Sequence, residues 1–209
     1  MKKIYFVRHG ESTSNISKVV QSGKDELSQA GQAQALALVE RLKHLDFQNL
    51  LVSDFVRTKQ TVVPLLEYTT VEPIYTPLVR ELRRPTELIG LSLHSPDFLT
   101  YTNAAREHLT EPGWHFSDEE NFYDVVSRIK EFFALADSFV GDTVVVTHGR
   151  FIIFVMMYVI MGGNLSPESW KSDMDTFTTT NTGITVLSFK EPQQLWALTT
   201  YNDHAHFAE

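Results

Sequence analysis

Short apolar segments alternate along the chain with longer segments in which apolar residues recur at helical spacing. The short segments are rich in aliphatic and aromatic residues and end at glycine or polar residues, as buried strands do. Strands are predicted at Ile4–Val7, Asn49–Ser53, Val71–Thr76, Thr143–Thr147, Ile184–Phe189 and Leu195–Thr200. Because proline cannot donate to a neighbouring strand, Pro73 indicates that the third strand is irregular or lies at an edge.

Helices are predicted between these strands, over about residues 30–45, 55–68, 122–139 and 151–161. Pro64 is expected to bend or shorten the second helix. The segment Ser117-Asp118-Glu119-Glu120 has a capping-box pattern, which predicts the start of the third helix near Ser117. Strands that alternate with helices predict an α/β fold with a mainly parallel sheet.

The length of 209 residues suits one domain better than two, so we expect a single domain over residues 1–209. Prolines punctuate the stretch from Leu78 to Pro112, which predicts only short helices there. We expect an insertion that sets substrate specificity around residues 82–115.

Composition narrows the classes of function. The net charge of −8 argues against non-specific nucleic-acid binding, and the absence of cysteine excludes disulfides, thiolate zinc sites and cysteine nucleophiles. Only four apolar residues follow the two lysines at the N-terminus, which predicts no secretory signal. The longest apolar run, Phe151–Met161, is eleven residues and too short for a bilayer. We therefore expect a cytoplasmic protein with no membrane or nucleic-acid partner.

Two predicted strands end in a histidine followed by glycine, at His9 and His148. Ligands of open α/β sheets bind at the carboxyl ends of strands, so the two imidazoles share one crevice if these strands are neighbours. Arg8 stands beside the first histidine, and Arg57 lies early in the helix after another strand. Two guanidinium groups and two imidazoles suit the dianion of a phosphomonoester, and an imidazole can serve as nucleophile or as cationic donor near neutral pH.

The segment Arg8-His9-Gly10-Glu11, with Asn15 four residues later, resembles the signature of the histidine phosphatase superfamily, which includes the cofactor-dependent phosphoglycerate mutases. Four more segments resemble blocks of that family in the same order: Leu27–Ala35, Ser53–Thr61, His148-Gly149 and Asn202–Phe207. The resemblance spans nearly the whole chain. It implies a phosphoglycerate mutase-like, three-layer α/β/α sandwich with a mainly parallel central sheet.

The resemblance also implies roles. His9 is the expected nucleophile, and the groups expected to bind the phosphoryl oxygens are Arg8, Arg57, His148 and Asn15. The expected general acid is Glu81, in a Leu-x-x-Glu context after the third strand, with Glu87 as the alternative. No metal or organic cofactor is implied.

The chain departs from the family pattern after Glu81, where it reads Leu82-Arg83-Arg84-Pro85 instead of a glycine-containing segment. Arg83, Arg84 and Arg150 either line the mouth of the site and select an anionic substrate or are solvated surface charges. The function expected first is hydrolysis of a small phosphorylated metabolite by a metal-independent phosphatase. A phosphoglycerate mutase, a phosphatase of phosphoproteins and a non-catalytic phosphate-binding protein are the alternatives, and the oligomeric state is open.

Overall fold

The computed structural model describes residues 2–173 and 176–206. Six strands form one sheet: β1 Lys3–Arg8, β2 Asn49–Ser53, β3 Pro73–Thr76, β4 Thr143–Thr147, β5 Ile184–Lys190 and β6 Leu195–Asp203. The helices of the described residues are α1 Thr13–Ser17, α2 Gln29–Leu42, α3 Val56–Val62, α4 Pro96–Glu107, α5 Phe122–Ser138, α6 Gly149–Ile160 and α7 Pro167–Asp173. Short 3-10 turns lie at Val63–Glu67, Pro77–Val79 and Thr86–Leu88. Phe207, at the end of the last family-like block, lies outside the described residues.

The sheet has the order β3-β2-β4-β1-β5-β6. The pairs β1 with β4, β4 with β2, and β2 with β3 are parallel, whereas β5 pairs antiparallel with both β1 and β6. The predicted mainly parallel sheet is therefore confirmed, and β3 lies at an edge as its proline indicates. Because β1, β4 and β2 are parallel neighbours, their carboxyl ends lie together on the same side of the sheet.

Helices cover both faces of the sheet. On one face, α5 and α6 pack on side chains such as Phe6 and Val145, which alternate with those that point the other way. On the opposite face, α2 and α3 pack on Val7, Val144 and Val146. β4 is buried at every position because both its faces are covered. The three-layer α/β/α sandwich is confirmed.

The predicted cap of α5 at Ser117 is wrong, although the helix starts where its apolar stripe begins. The helix begins at Phe122, and its cap is Asn121, whose side chain accepts the backbone N–H of Asp124 at 3.1 Å while the Asp124 carboxylate accepts the Asn121 N–H at 3.0 Å. The Glu119 carboxylate instead accepts N–H groups within its own turn, from Phe116 and Ser117. Two overlapping capping patterns compete here, and the one that adjoins the apolar stripe of the helix forms.

The segment over residues 82–115 contains one 3-10 turn and α4, as its prolines predict. It is tied to the loop after α1 by backbone hydrogen bonds, from Val20 N–H to Leu91 O and from Gly90 N–H to Val20 O, both at 2.9 Å. Val20 also joins Tyr101 of α4 in a small separate core. Within the described ranges, no helix combines the length and apolarity that a bilayer crossing requires.

Candidate active site

His9 and His148 follow two neighbouring strands, β1 and β4, at the same edge of the sheet. The parallel register pairs Arg8 with Thr147, so the next residue on each strand is a histidine. Their ring centroids are 5.1 Å apart, and both side chains are buried. The two imidazoles lie side by side, as expected for neighbouring parallel strands, although only His9 lines the cleft described below.

Arg57 connects the two imidazoles. It lies in the first turn of α3, just beyond the carboxyl end of β2, and its side chain is 0% exposed. Its Nε–H donates to His9 Nε2 at 3.1 Å, a terminal N–H donates to His148 Nδ1 at 3.0 Å, and another donates to the Ser22 carbonyl at 2.7 Å. Burial is the main cause that lowers the pKa of Arg57 to about 10, so it remains a cation at neutral pH.

These hydrogen bonds determine which ring nitrogens carry protons. His9 Nδ1 lies 2.6 Å from the Gly10 carbonyl, which can only accept, so Nδ1 carries the proton and the unprotonated Nε2 accepts the Arg57 N–H. For His148 the assignment is reversed, since Arg57 donates to its Nδ1 and its Nε2 lies 2.8 Å from the Ser53 hydroxyl. Burial and the neighbouring arginines hold the pKa of both histidines well below the usual range, so both rings are neutral.

Arg8 is held by the segment that precedes β5, which sequence reasoning did not find. The Arg8 guanidinium donates to the Thr179 carbonyl, and the Asn181 side chain donates to the His9 carbonyl at 2.9 Å. Thr182 donates its N–H to the Arg8 carbonyl at 2.9 Å with a φ of 55°, an uncommon conformation for a β-branched residue. This segment has no periodicity or motif, and its contacts are largely with backbone atoms, so the pattern of the chain carries no signal for it.

The side chain of Glu81 contacts the N-terminal turn of α6. Its carboxylate accepts the backbone N–H groups of Arg150 and Phe151 at 3.2 and 3.1 Å, a position that the helix dipole favours for an anion. Glu81 lines the same cleft as His9. Glu87 is exposed and accepts a hydrogen bond from the Ser117 hydroxyl at 3.1 Å, and it is not part of the cleft wall.

Asn15 lines the cleft, but its side-chain oxygen already has a structural role. It accepts the Ser12 N–H at 3.0 Å in the capping box of α1. The amide NH₂ is therefore the part of this side chain that is available as a donor to a ligand.

The cleft has a volume of about 730 Å³ and includes Arg8, His9, Asn15, Arg57 and Glu81 in its wall. His148 is buried and lies behind this wall, where it touches Arg57. The cleft is basic although the chain is acidic overall, with these further cations in its wall: Lys18, Arg80, Arg83, Arg84, Arg128 and Arg150. Some are already partnered, since Arg80 binds the Asp54 carboxylate and Arg128 that of Glu120. A cleft of this charge favours an anionic ligand.

The buried neutral histidines make stability depend on pH. Below about pH 6.5 an unfolded imidazole takes up a proton that the folded ring does not, so stability is lost as the pH falls below that value, by about 1.4 kcal/mol per pH unit for each such ring. Because His148 contributes one such ring, the free energy of unfolding of His148→Gln is expected to fall less steeply between pH 6.5 and 5, by about that amount. Urea denaturation at several pH values measures the slope. His44→Gln, at an exposed position, should keep the wild-type slope, whereas equal slopes for His148→Gln and wild type would contradict a neutral His148.

The family model of the histidine phosphatase superfamily (branch 1) matches residues 4–204 of the chain. A Schizosaccharomyces pombe protein named "probable phosphatase" is 36% identical over 81 residues, which cover 38% of this chain and 39% of that protein. The GpmB protein of Photorhabdus laumondii, named "probable phosphoglycerate mutase", is 34% identical over 83 residues, which cover 39% of each chain. The chain thus matches about two fifths of the length of these curated relatives.

Solved structures resemble the chain over its whole length. Phosphoserine phosphatase from Entamoeba histolytica, in complex with 3-phosphoglyceric acid, has a TM-score of 0.78 at 20% identity, with 99% of both chains covered. Mycobacterial glucosyl-3-phosphoglycerate phosphatase with inorganic phosphate has a TM-score of 0.78 at 23% identity, with 100% of both covered. At such identities the likeness concerns the fold. With the match to the family model over residues 4–204, it follows that the chain belongs to the histidine phosphatase superfamily, branch 1.

Proposed function

We propose that this protein is a metal-independent phosphatase that hydrolyses a small phosphorylated metabolite through a phosphohistidine on His9. The observation that carries the proposal is the state of His9. Its Nδ1–H is held on the Gly10 carbonyl, so the unprotonated Nε2 is directed toward Arg57 in the cleft wall. A neutral imidazole with one nitrogen fixed as donor can attack with its other nitrogen, and the Nε2 lone pair becomes available when Arg57 turns its N–H groups to the bound phosphoryl group.

In the first step, His9 Nε2 attacks phosphorus, and the P–N bond forms while the P–O bond to the leaving alcohol breaks. Arg57, which donates to both imidazoles in the free protein, turns its N–H groups to the phosphoryl oxygens, where charge is spread in the transition state. Arg8 and the Asn15 amide supply further donors from the same wall. Donors that are already fixed in place stabilise this charge without reorganisation of solvent.

Two more groups complete this step. Glu81, a carboxylate in the free protein, passes a proton from solvent to the leaving oxygen, which departs as the alcohol. The bound dianion opposes the burial and cationic neighbours that lower the pKa of His148, so His148 takes up a proton and adds positive charge behind the phosphoryl group.

In the second step, the Glu81 carboxylate takes a proton from a water molecule as its oxygen attacks phosphorus. The P–N bond breaks, its electron pair returns to His9 Nε2, and inorganic phosphate leaves. The net reaction is ester plus water to alcohol plus phosphate. With a volume of about 730 Å³, the cleft has room for a water molecule once the alcohol has left.

An assay with p-nitrophenyl phosphate, excess chelator and glycerate as acceptor tests the proposal. A phosphatase releases nitrophenol and inorganic phosphate in equal amounts, and acid-labile phosphate appears on the protein during turnover. Phosphoglycerate in place of free phosphate would support a mutase, and binding of vanadate without any nitrophenol would support a non-catalytic protein. Loss of activity in chelator would overturn the metal-independent part of the proposal.

Glu81→Gln is expected to lower kcat for an alkyl phosphate by about 10²- to 10³-fold, because an alkoxide needs a proton to leave. The rate of the first step should fall less for p-nitrophenyl phosphate, because its leaving group is a weaker base. Measuring single-turnover rates for both substrates gives this dependence on the leaving group.

Glu87→Gln is the matched control, with the same change six residues along the chain and outside the cleft wall. It should turn over both substrates at the wild-type rate, and vanadate should bind both variants. If Glu87→Gln loses activity and Glu81→Gln does not, the assignment of the acid is reversed.

A further inference from the structure

The cleft is much larger than the phosphoryl site and a small acid require. Its volume is about 730 Å³. A three-carbon phosphoacid has about eleven heavy atoms, and at the roughly 30 Å³ that a water molecule takes up in the liquid it would occupy about 330 Å³ at most. More than half of the cleft would then hold only water.

Part of the cleft wall is apolar, although cations also line the cleft. Val19, Ile89, Leu93 and Phe98 line it, and the Ile89 and Leu93 side chains are 42% and 38% exposed. Isolated apolar residues on a surface are ordinary, but these four face one concavity together with the phosphoryl-binding groups. Water in such a concavity is displaced favourably by an apolar group.

This apolar wall is held in place by two segments that brace each other. Val19 pairs with Ser92 in an isolated β-bridge, and the Leu93 N–H donates to the Lys18 carbonyl at 3.0 Å. Phe98 lies in the first turn of α4 and packs against the small core that contains Tyr101. A wall built in this way is formed before a ligand arrives, which lowers the cost of ordering on binding.

We propose that this wall binds the leaving group of the substrate, and that this leaving group is a bulky alcohol with an apolar portion, larger than a three-carbon acid. The inference rests on the proposed function and narrows its substrate class. The leaving group is the expected occupant of the apolar wall, because this wall and the residues Arg8, His9 and Arg57 belong to one continuous cleft. An ester bound with its phosphorus at His9 extends its alcohol along the rest of that cleft.

A series of n-alkyl phosphates from ethyl to hexyl tests the proposal, because chain length changes the apolar area with little change in the basicity of the leaving group. Burial of each added methylene is expected to raise kcat/KM by roughly threefold, so that hexyl phosphate exceeds ethyl phosphate by about 50- to 100-fold. 3-Phosphoglycerate should be a poorer substrate than hexyl phosphate. If kcat/KM is the same for every alkyl phosphate and 3-phosphoglycerate is the better substrate, the inference is overturned.

Phe98→Ala should flatten this dependence on chain length, and a slope within one variant is insensitive to any common loss of activity. Leu99→Ala is the matched control, because Leu99 is the neighbouring residue, is 49% exposed and does not line the cleft. It should keep the wild-type slope. An unchanged slope in Phe98→Ala would place the alkyl chain elsewhere.

Calorimetry with n-alkyl phosphonates separates this inference from the proposed function, since binding does not depend on turnover. Affinity that rises with chain length supports the apolar site even if no ester is hydrolysed, and in that case only the proposed function fails. Hydrolysis of every ester with no dependence on chain length, in rate or in affinity, overturns the inference alone.

Discussion

His9→Ala is expected to lower the rate of phosphomonoester hydrolysis by roughly 10⁴- to 10⁶-fold, as removal of a covalent nucleophile does in other enzymes. The physical reason is that Nε2 is the unprotonated nitrogen in the cleft wall, and alanine leaves nothing to accept the phosphoryl group. Because the pKa of His9 lies well below its usual range, the wild-type ring is neutral at pH 7 and ready to attack. Release of phosphate and acid-labile labelling of the protein measure the effect.

The variant should still bind phosphate or vanadate, because Arg8 and Arg57 remain in the wall. A rise in melting temperature with added phosphate shows that the site is intact, since a ligand that binds only the folded state stabilises it. His44→Ala changes an exposed histidine in the turn after α2 and should keep full activity. Turnover of His9→Ala at more than a few per cent of the wild-type rate would rule out a phosphohistidine on His9.

The pattern of the chain was sufficient to predict the sheet and the residues at its carboxyl edge. The short apolar run predicts β4 at its observed position, Thr143–Thr147, because a strand covered on both faces is largely apolar. Histidines directly after β1 and β4 meet because adjacent parallel strands end at the same edge. The same rule, applied to β2, predicts that Arg57 lies near this edge, whereas its hydrogen bonds to both imidazoles are known only from the structure.

These rules do not predict other parts of the site. Ser22 binds Arg57 through its backbone carbonyl, which any residue type would provide, so no residue pattern indicates it. The Asn181 side chain reaches the His9 carbonyl from a loop whose position depends on the long-range pairing of β5 with β1. The pattern of the chain likewise does not show which of Glu81 and Glu87 contacts the N-terminal turn of α6. That contact joins segments about 70 residues apart in the sequence.

Arg57→Met is expected to abolish activity while changing stability only slightly. The guanidinium is wholly buried with hydrogen bonds only to uncharged groups, and burial is the main cause that lowers its pKa to about 10, which corresponds to roughly 3 kcal/mol of destabilisation at neutral pH. Its three charge-assisted hydrogen bonds, to His9, His148 and Ser22, contribute about 1.5 kcal/mol each. The two contributions nearly offset each other, so the free energy of unfolding in urea should change by less than about 2 kcal/mol.

The same substitution removes the donor that both imidazoles share, so kcat/KM should fall at least about 10³-fold and added phosphate should no longer raise the melting temperature. Arg57→Lys should not restore either property, since an ammonium group cannot reach both rings and two phosphoryl oxygens as a planar fork does. Arg41→Met is the matched control on α2, where the arginine binds Asp203 away from the cleft, and it should respond to phosphate as the wild type does. A buried cation whose hydrogen bonds all go to uncharged groups is retained at a cost in stability when an anionic ligand completes the site. If Arg57→Met keeps the phosphate response, Arg57 is a structural residue and the phosphoryl site lies elsewhere in the cleft.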